Sequence, residues 1–441
     1  MATSRTPLVS LCLGFFMIPL DVTVVTTALP AIGRDLNASA SGLQWVLDGY
    51  TLVFACLLLS AGSLGDRLGA RRVFLCGLGL FVLASTVCGL ATTLGVLNAA
   101  RGVQGLAAAL VLPTSLALIN ASYPDRAARA RAIGVWGGMG GVAAGLGPVL
   151  GGVLTGWAGW PVIFYLNVPV GIAAIALTLR HVVAPSPRKR VGLDLPGQVL
   201  SILAVGGLAF GLIEGAVSAY LVAVLGGLAF VVVEARRRHP MLPLDLFRSR
   251  EFTGSVLVGA AINTGFYGEL FLLSLYFQHV RLLTPALAGL ALLPQPGIAS
   301  VASSLGGRHT ARFGPRPVML VGLVVGALGL AAMVLCGTAT PYWLLVVPLL
   351  AIGFGTAYTM PAATAATIEA APPDKAGTAS GALNSSRQVG STLGVAIFGA
   401  LVAGAGDFMT GYHLSVLVGG LVFAAGAVIA WCTIPSSPHR A

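Results

Sequence analysis

The sequence predicts an all-α membrane protein with fourteen transmembrane helices. They form two six-helix halves, helices 1–6 and 9–14, with helices 7 and 8 inserted between them. Composition is the first sign: the 441 residues are 56% hydrophobic and only 9% charged, with a mean hydropathy of +0.92, whereas soluble domains carry about 25% charged residues. Run length is the second, because a hydrocarbon core of about 30 Å takes roughly 20 helical residues to cross, and apolar runs of that size consume most of the chain. The third is a spacing of Gly and Pro that repeats between the two halves.

Runs bounded by charged or Pro/Gly-rich breaks give the first half, over 8–30, 43–63, 71–92, 95–119, 132–155 and 160–180. The inserted pair follows at 195–214 and 217–235. The second half occupies 253–278, 285–306, 316–336, 341–369, 384–405 and 412–434. Residues 1–184 thus form one bundle, 185–250 the inserted helices with their cytoplasmic linkers, and 251–441 the other bundle. The first run is long and carries Asp21, so it reads as a resident helix rather than a cleaved signal.

A net charge of +11 raises the question of nucleic acid, but the distribution excludes it. Basic residues cluster between apolar runs, at Arg67, Arg71 and Arg72, then Arg126, Arg129 and Arg131, then Arg188, Lys189 and Arg190. Further clusters are Arg236, Arg237 and Arg238 with Arg248 and Arg250, and Arg308, Arg312 and Arg316. This is the positive-inside pattern and predicts both termini in the cytoplasm; of the other basic residues, Arg34, Arg101 and Arg281 fall outside or in the outer half of the membrane. The excess of Arg over Lys suggests a high-GC bacterial genome, hence a bacterial cytoplasmic membrane. Cys12, Cys56, Cys76, Cys88, Cys336 and Cys432 all lie in apolar runs without paired or metal-type spacing and read as small buried hydrophobes. Neither a disulfide, a metal nor a cofactor is expected.

In helix 4, Gly105, Pro113 and Pro124 have the separations of Gly353, Pro361 and Pro372 in helix 12, at an offset of 248. After helices 2 and 10, Arg67, Gly69 and Arg71 match Arg312, Gly314 and Arg316 at an offset of 245. Chance agreement in a chain rich in Gly and Pro is the competing explanation. Two six-helix halves related by an axis along the membrane normal are a transporter design, with substrate bound between them near the midplane.

Nothing in the sequence supplies nucleotide energy or hydrolytic chemistry. Lys189 and Lys375 are the only lysines and neither follows a G-x-x-x-x-G spacing, while HExxH and GxSxG are missing, so an enzyme is disfavoured. A proton gradient then needs a group that binds protons within the membrane. His181, His239, His279, His309, His413 and His439 fall at helix ends or in loops. Among the carboxylates, Asp48, Glu214, Glu234 and Glu369 lie within a turn or two of a helix end and are expected to be solvated. Asp21 and Glu269 are deep, and their separation is the repeat offset of 248. Hydrocarbon makes a lone carboxylate costly to keep charged, which suits it to proton uptake and release; a carboxyl merely hydrogen-bonded inside the bundle is the other reading. At 1.5 Å per residue, Arg101 and Asp21 lie about 10 and about 14 Å from the outer surface, level enough to pair. Arg101 corresponds to Leu349 in the repeat, so the first half alone carries this cation.

Several stretches resemble one family. "GSLGDRLGARR" (62–72) resembles the loop signature of the major facilitator superfamily, "RGVQGLAAA" (101–109) its helix 4 signature, and "GVAAGLGPVLGG" (141–152) the antiporter signature of helix 5. "LDVTVVTTALP" (20–30) and "WVLDGYTLVFACLLLSAG" (45–62) resemble helices 1 and 2 of its fourteen-span drug/proton antiporter branch. The departures are Thr26 for Asn, and Ala70 and Pro161 for Arg. The resemblance implies a proton-relay role for Arg101, against the plainer role of a static ion pair. It also implies that Asp66, Arg67, Gly69, Arg71 and Arg72 form a latch favouring the outward-open state, against an ordinary positive-inside loop.

Gly137, Gly141 and Gly145 recur every fourth residue, with Gly140, Ala144, Gly147, Gly151 and Gly152 nearby, and Pro148 permits a kink. Such small residues let helices approach closely, which packing alone explains, or, within the antiporter signature, they form a hinge or a seal against leakage. Helices 1, 2, 4 and 5 and their repeats would line the cavity. Candidate contacts are Gln44, Trp45, Tyr50, Gln104, Asn263, Tyr267, Tyr276, Tyr358, Asn384 and Gln388. Two deep acids against one arginine suit a lipophilic cation or a neutral amphiphile. The expected function is proton-coupled export of amphipathic small molecules by a monomer that meets lipid, protons and its substrate. Alternatives are an exporter dedicated to one metabolite or antibiotic of its host, and a non-transporting sensor on the same fold.

Overall fold

The structure is a computed structural model, and it describes residues 6–123, 125–183, 194–237, 240–372 and 375–436. Pro124, Arg188, Lys189, Arg190, Arg238, His239 and His439 lie outside the described residues, as does the side chain of Arg126. The helices of the first half are α1 (Thr6–Asp35), α2 (Ala40–Leu68), α3 (Ala70–Gly89), α4 (Leu94–Ser122), α5 (Arg126–Ala158), α6 (Pro161–Tyr165) and α7 (Asn167–His181). Then come α8 (Leu195–Glu214) and α9 (Val217–Arg236). The second half has α10 (Arg250–Leu275), α11 (Pro285–Ala291), α12 (Pro294–Phe313), α13 (Pro315–Ala332), α14 (Tyr342–Glu369), α15 (Ala376–Gly404) and α16 (Phe408–Thr433).

Together they supply 14 segments long and apolar enough to cross a membrane, as the sequence predicts. Span 6 is α6 with α7, and span 10 is α11 with α12. The helix starts follow local chemistry: Ser39, Thr93, Asp125, Ser249 and Asp407 each accept a backbone N–H of the turn they open, satisfying donors that a helix otherwise leaves free. Span 13 begins at Gly377 rather than 384, which places its arginine, Arg387, about ten residues inside the span.

The chain divides into two compact units, residues 1–199 with 284–290, and residues 200–283 with 291–441. Within the first, α4 packs on α2 and α3, and α1 on α5. Within the second, α14 packs on α12 and α13, and α10 on α15. The register of these contacts repeats. A methyl group on Gly105 would strike the carbonyl of Tyr50, and one on Gly353 the carbonyl of Gln295. Gly77 faces the carbonyl of Ala107 in the same way that Gly322 faces that of Gly355, and Gly62 faces Pro113 as Gly307 faces Pro361. In every case the offset is 245 on the first helix and 248 on the second, so the spacing read from the sequence is a packing register and not a coincidence of composition. Gly69 and Gly314, which connect α2 to α3 and α12 to α13, share φ values of 94° and 84°, a left-handed backbone that favours glycine.

The inserted helices pack on each other through Gly207 and Gly226, which meet the backbones of Ala219, Ala223 and Ala204. Their remaining faces expose Val217, Leu221, Leu225, Leu228 and Val232, apolar groups suited to hydrocarbon. Cys76 and Cys432 are likewise exposed rather than buried, whereas the other four cysteines are covered; both lie on outward faces of apolar helices, which sequence hydropathy does not distinguish from core faces.

Two expectations about small residues and acids need correction. Around Gly137 and Gly141 there is open space, with nothing within 4 Å of where a methyl group would stand, so the every-fourth-residue stripe is not the packed face. Gly140, Gly147 and Gly151 are: they meet Phe15, Thr23 and Val24 of α1, because spacings of seven and four track a helix face better than repeated fours, which drift by about 40° per step at 3.6 residues per turn. Gly152 meets the backbone of Pro285. Among the acids, Glu214 and Glu369 are exposed, but Asp48 and Glu234 are buried, at 0% and 2% exposure. Nearness to a helix end does not expose a residue that a neighbouring segment covers, and Glu234 accepts the Leu242 N–H at 3.0 Å.

Candidate functional site

The chemistry concentrates in the first unit around Asp21. Asp21 is buried, and so are the apolar residues near it along the chain and on α4: Leu20, Val24 and Val25 on α1 and Ala107, Ala108 and Val111 on α4 are at most 1% exposed. Into this setting α4 sends Arg101, itself fully buried, whose Nη1 donates to Asp21 Oδ2. Its Nε donates to the Val46 carbonyl of α2 at 2.9 Å. The guanidinium also lies 4.5 Å from the centroid of the Tyr50 ring, a cation–π contact. Its Nη2 has no hydrogen-bond partner.

The other oxygen of Asp21 is held by two amides. Gln104 Nε2 donates to Oδ1 at 3.2 Å and Asn167 Nδ2 at 2.9 Å. Both amides also donate to Ser85 Oγ, at 2.7 and 3.2 Å, and Gln104 Oε1 accepts Arg101 Nη1 at 2.9 Å. Helices α1, α3, α4 and α7 are thereby joined by one buried polar network. Breaking a buried ion pair by removing one partner costs about 3–5 kcal/mol.

In the second unit Glu269 is fully buried. Gln295 Nε2 donates to its Oε2 at 2.7 Å, and Oε1 has no partner. Gln295 is the counterpart of Tyr50 in the repeated register, and Tyr50 lies against the Arg101 guanidinium that pairs with Asp21. The partners differ: a cation and two amides on Asp21, a single amide on Glu269.

The remaining candidates separate by environment. Gln44, Tyr50 and Gln104 are buried, and Gln104 is committed to Asp21. Tyr276 is buried, bonds the Gly337 carbonyl at 2.7 Å and stacks on Tyr412 with ring centroids 5.2 Å apart, a packing role. Tyr358 Oη lies 2.6 Å from His309 Nδ1. Trp45, Tyr267, Asn384 and Gln388 are half-buried, and Asn263 donates to Ser391 Oγ at 3.1 Å. Thr26 returns its hydroxyl to the Val22 carbonyl at 2.8 Å. In the loop after α2, Asp66, Arg67 and Gly69 are half-buried, while Arg71 reaches the Leu179 carbonyl of α7 at 2.8 Å.

Sequence reasoning missed Ser85, Asn167 and Arg387, and misjudged Asp48. The first two are ordinary polar residues whose role is visible only once α3 and α7 meet α1. Asp48 is enclosed with only Thr51 bonding its Oδ1, at 3.3 Å. Arg387 is hidden when hydropathy alone sets the start of its span at 384.

The family model described as Major Facilitator Superfamily matches residues 11–395 and 298–441. The chain belongs to that family. This major facilitator is 39% identical over 446 residues to the methylenomycin A resistance protein of Streptomyces coelicolor, covering 99% of the chain and 94% of that protein. It is 38% identical over 412 residues to the multidrug resistance protein Stp of Mycobacterium tuberculosis, covering 91% and 76%. It is 34% identical over 406 residues to the tetracenomycin C resistance and export protein of Streptomyces glaucescens, covering 90% and 75%. Among solved structures, that of the nucleoside transporter NupG matches 98% of this chain and 100% of its own with a TM-score of 0.65 at 15% identity, a likeness of fold. As a major facilitator the protein is a membrane transporter and not an enzyme.

Proposed function

We propose that this major facilitator exports amphipathic small molecules, drugs or antibiotics among them, in exchange for protons. The observation that carries the reading is the fully buried ion pair of Arg101 with Asp21. As a charged pair it is neutral overall and well bonded. A proton arriving at Asp21 cancels the carboxylate charge and leaves an enclosed guanidinium, already short of one partner, without its counter-charge. That state is expensive, so protonation drives α1, α4 and α7 toward another arrangement, and proton binding is coupled to shape through the difference in affinity between the two states. Gln104 and Asn167 position the carboxylate. Glu269 is the second proton site, and the Arg71 bond to α7 is part of a latch with Asp66, Arg67 and Gly69.

The arginine clusters lie on the cytoplasmic side, which puts both termini there, and the protein works as a monomer in a bacterial cytoplasmic membrane. Relatives named for resistance to a single antibiotic favour a second reading, an exporter dedicated to one compound of its host. The decisive experiment uses inverted membrane vesicles with an imposed pH difference. Asp21→Asn abolishes gradient-driven export in this reading, and undiminished active export by the variant refutes the assignment. A susceptibility panel separates the two substrate ranges, a single protected compound indicating the dedicated exporter.

A further inference from the structure

Among the described residues, Arg387 is the deep cation for which the coupling scheme has no use. It lies on α15, eleven residues beyond Ala376, about 16 Å along the helix and inside the span Gly377–Gly404. A guanidinium stays charged at any ordinary pH, and a charged side chain at this depth is costly enough to mark a functional site by default. Arg101 meets that cost with Asp21. Arg387 forms no ion pair with any described carboxylate: its Nη1 donates to Asn384 Oδ1 at 3.3 Å, and its Nε has no partner. Glu269, in the same unit, is engaged by Gln295 instead.

The surroundings are built for polar contact. Gly259 on α10 leaves room for the arginine stem, a methyl there standing 3.3 Å from Arg387 Cγ. The Tyr267 phenol lies within electrostatic reach of the guanidinium. One turn along α15 from Arg387, Ser391 accepts from Asn263. Arg387 itself is half-buried with its Nε enclosed, which leaves the Nη edge of the guanidinium for a ligand to reach.

We infer that Arg387 is the anion-recognition residue of a substrate site on α10 and α15, taking the carboxylate of an amphipathic monoanion, with Asn384 and Tyr267 as neutral neighbours. Guanidinium and carboxylate match as a planar fork. This rests on the exporter reading and narrows it, and it replaces the expectation of a cationic or neutral substrate, which counted one deep arginine where there are two.

The test uses the full chain in phosphatidylcholine nanodiscs and in proteoliposomes, with three probes of one shape: pyrenebutyrate, its methyl ester and pyrenebutylamine. The expected result is preferential binding of pyrenebutyrate over the other two. The carboxylate-to-ester affinity ratio falls about tenfold or more in Arg387→Gln, as loss of a charge-assisted hydrogen bond implies, and takes an intermediate value in Arg387→Lys, which keeps the charge without the fork. The inference is overturned if pyrenebutyrate shows no preference in the wild type, or if both variants keep the wild-type ratio. It is also overturned if phosphatidylglycerol in the discs shifts with Arg387→Gln while pyrenebutyrate binding does not, which assigns the cation to a lipid headgroup. Binding without transport in the proteoliposomes sustains the site and refutes the exporter reading; transport of ester and amine without a carboxylate preference does the reverse.

Discussion

Arg101 and Asp21, 80 residues apart in the chain, meet as an ion pair in which neither side chain is more than 1% exposed. No water can take the place of a missing partner there. Arg101→Leu therefore strands the Asp21 carboxylate and destabilises the protein by about 3–5 kcal/mol, read as a drop in the thermal unfolding of the detergent-purified protein. Combining it with Asp21→Asn recovers part of that loss. A double variant whose destabilisation equals the sum of the single ones would mean that the pair is not coupled.

The glycines of α4 and α5 give a contrast within one unit. In Gly105→Ala the added methyl meets the Tyr50 backbone carbonyl, which cannot rotate aside, and overpacking of this kind costs about 1–3 kcal/mol. Gly141→Ala meets open space and stays within about 0.5 kcal/mol of wild type. Comparing the two unfolding temperatures checks the assignment of the packed face.

Lys375 Nζ lies 2.5 Å from Asp245 Oδ2, outside the membrane spans. The hydrogen bond from Lys375 holds the Asp245 carboxyl below its usual range. A carboxylate depressed on folding contributes stability that is present above its unfolded pKa and is lost as the pH falls through the folded value. With the Asp245 and Lys375 side chains 54% and 32% exposed, solvent and salt screen the pair, so Lys375→Gln changes stability by less than about 1 kcal/mol. The difference from wild type, measured by unfolding against pH, disappears on the acid side.

Reporter fusions examine the sidedness of the chain. Fused to either end, a reporter that is active only in the cytoplasm remains active; activity from one end alone contradicts an even number of crossings.

What could be read from sequence divides along physical lines. Gly105, Gly353, Pro113 and Pro361 are fixed by backbone geometry, so their spacing survived in both halves and exposed the repeat. Asp21 and Glu269 stood out because charge is rare in runs long enough to cross a membrane. Asn167 and Ser85 carry no such signal, since their importance lies in where α3 and α7 arrive. Asp48 and Glu234 defeated a reading based on distance from a helix end, because burial depends on which segments cover the end. Arg387 was lost to a boundary error of seven residues, two turns of helix, enough to turn a deep cation into a rim residue.

The positive φ at Gly69 and Gly314 has a genetic consequence. Every amino acid reachable by one base change from a glycine codon brings a Cβ, and a backbone with positive φ and extended ψ penalises it by about 1–3 kcal/mol, whatever the room around it. Random mutagenesis under selection by a toxic substrate should leave both of these turns almost bare of survivors, while Gly134, Gly137 and Gly138, which have nothing within 4 Å, collect substitutions freely. The two pivots would then be recognisable in a survival map without any structure, as paired gaps 245 codons apart.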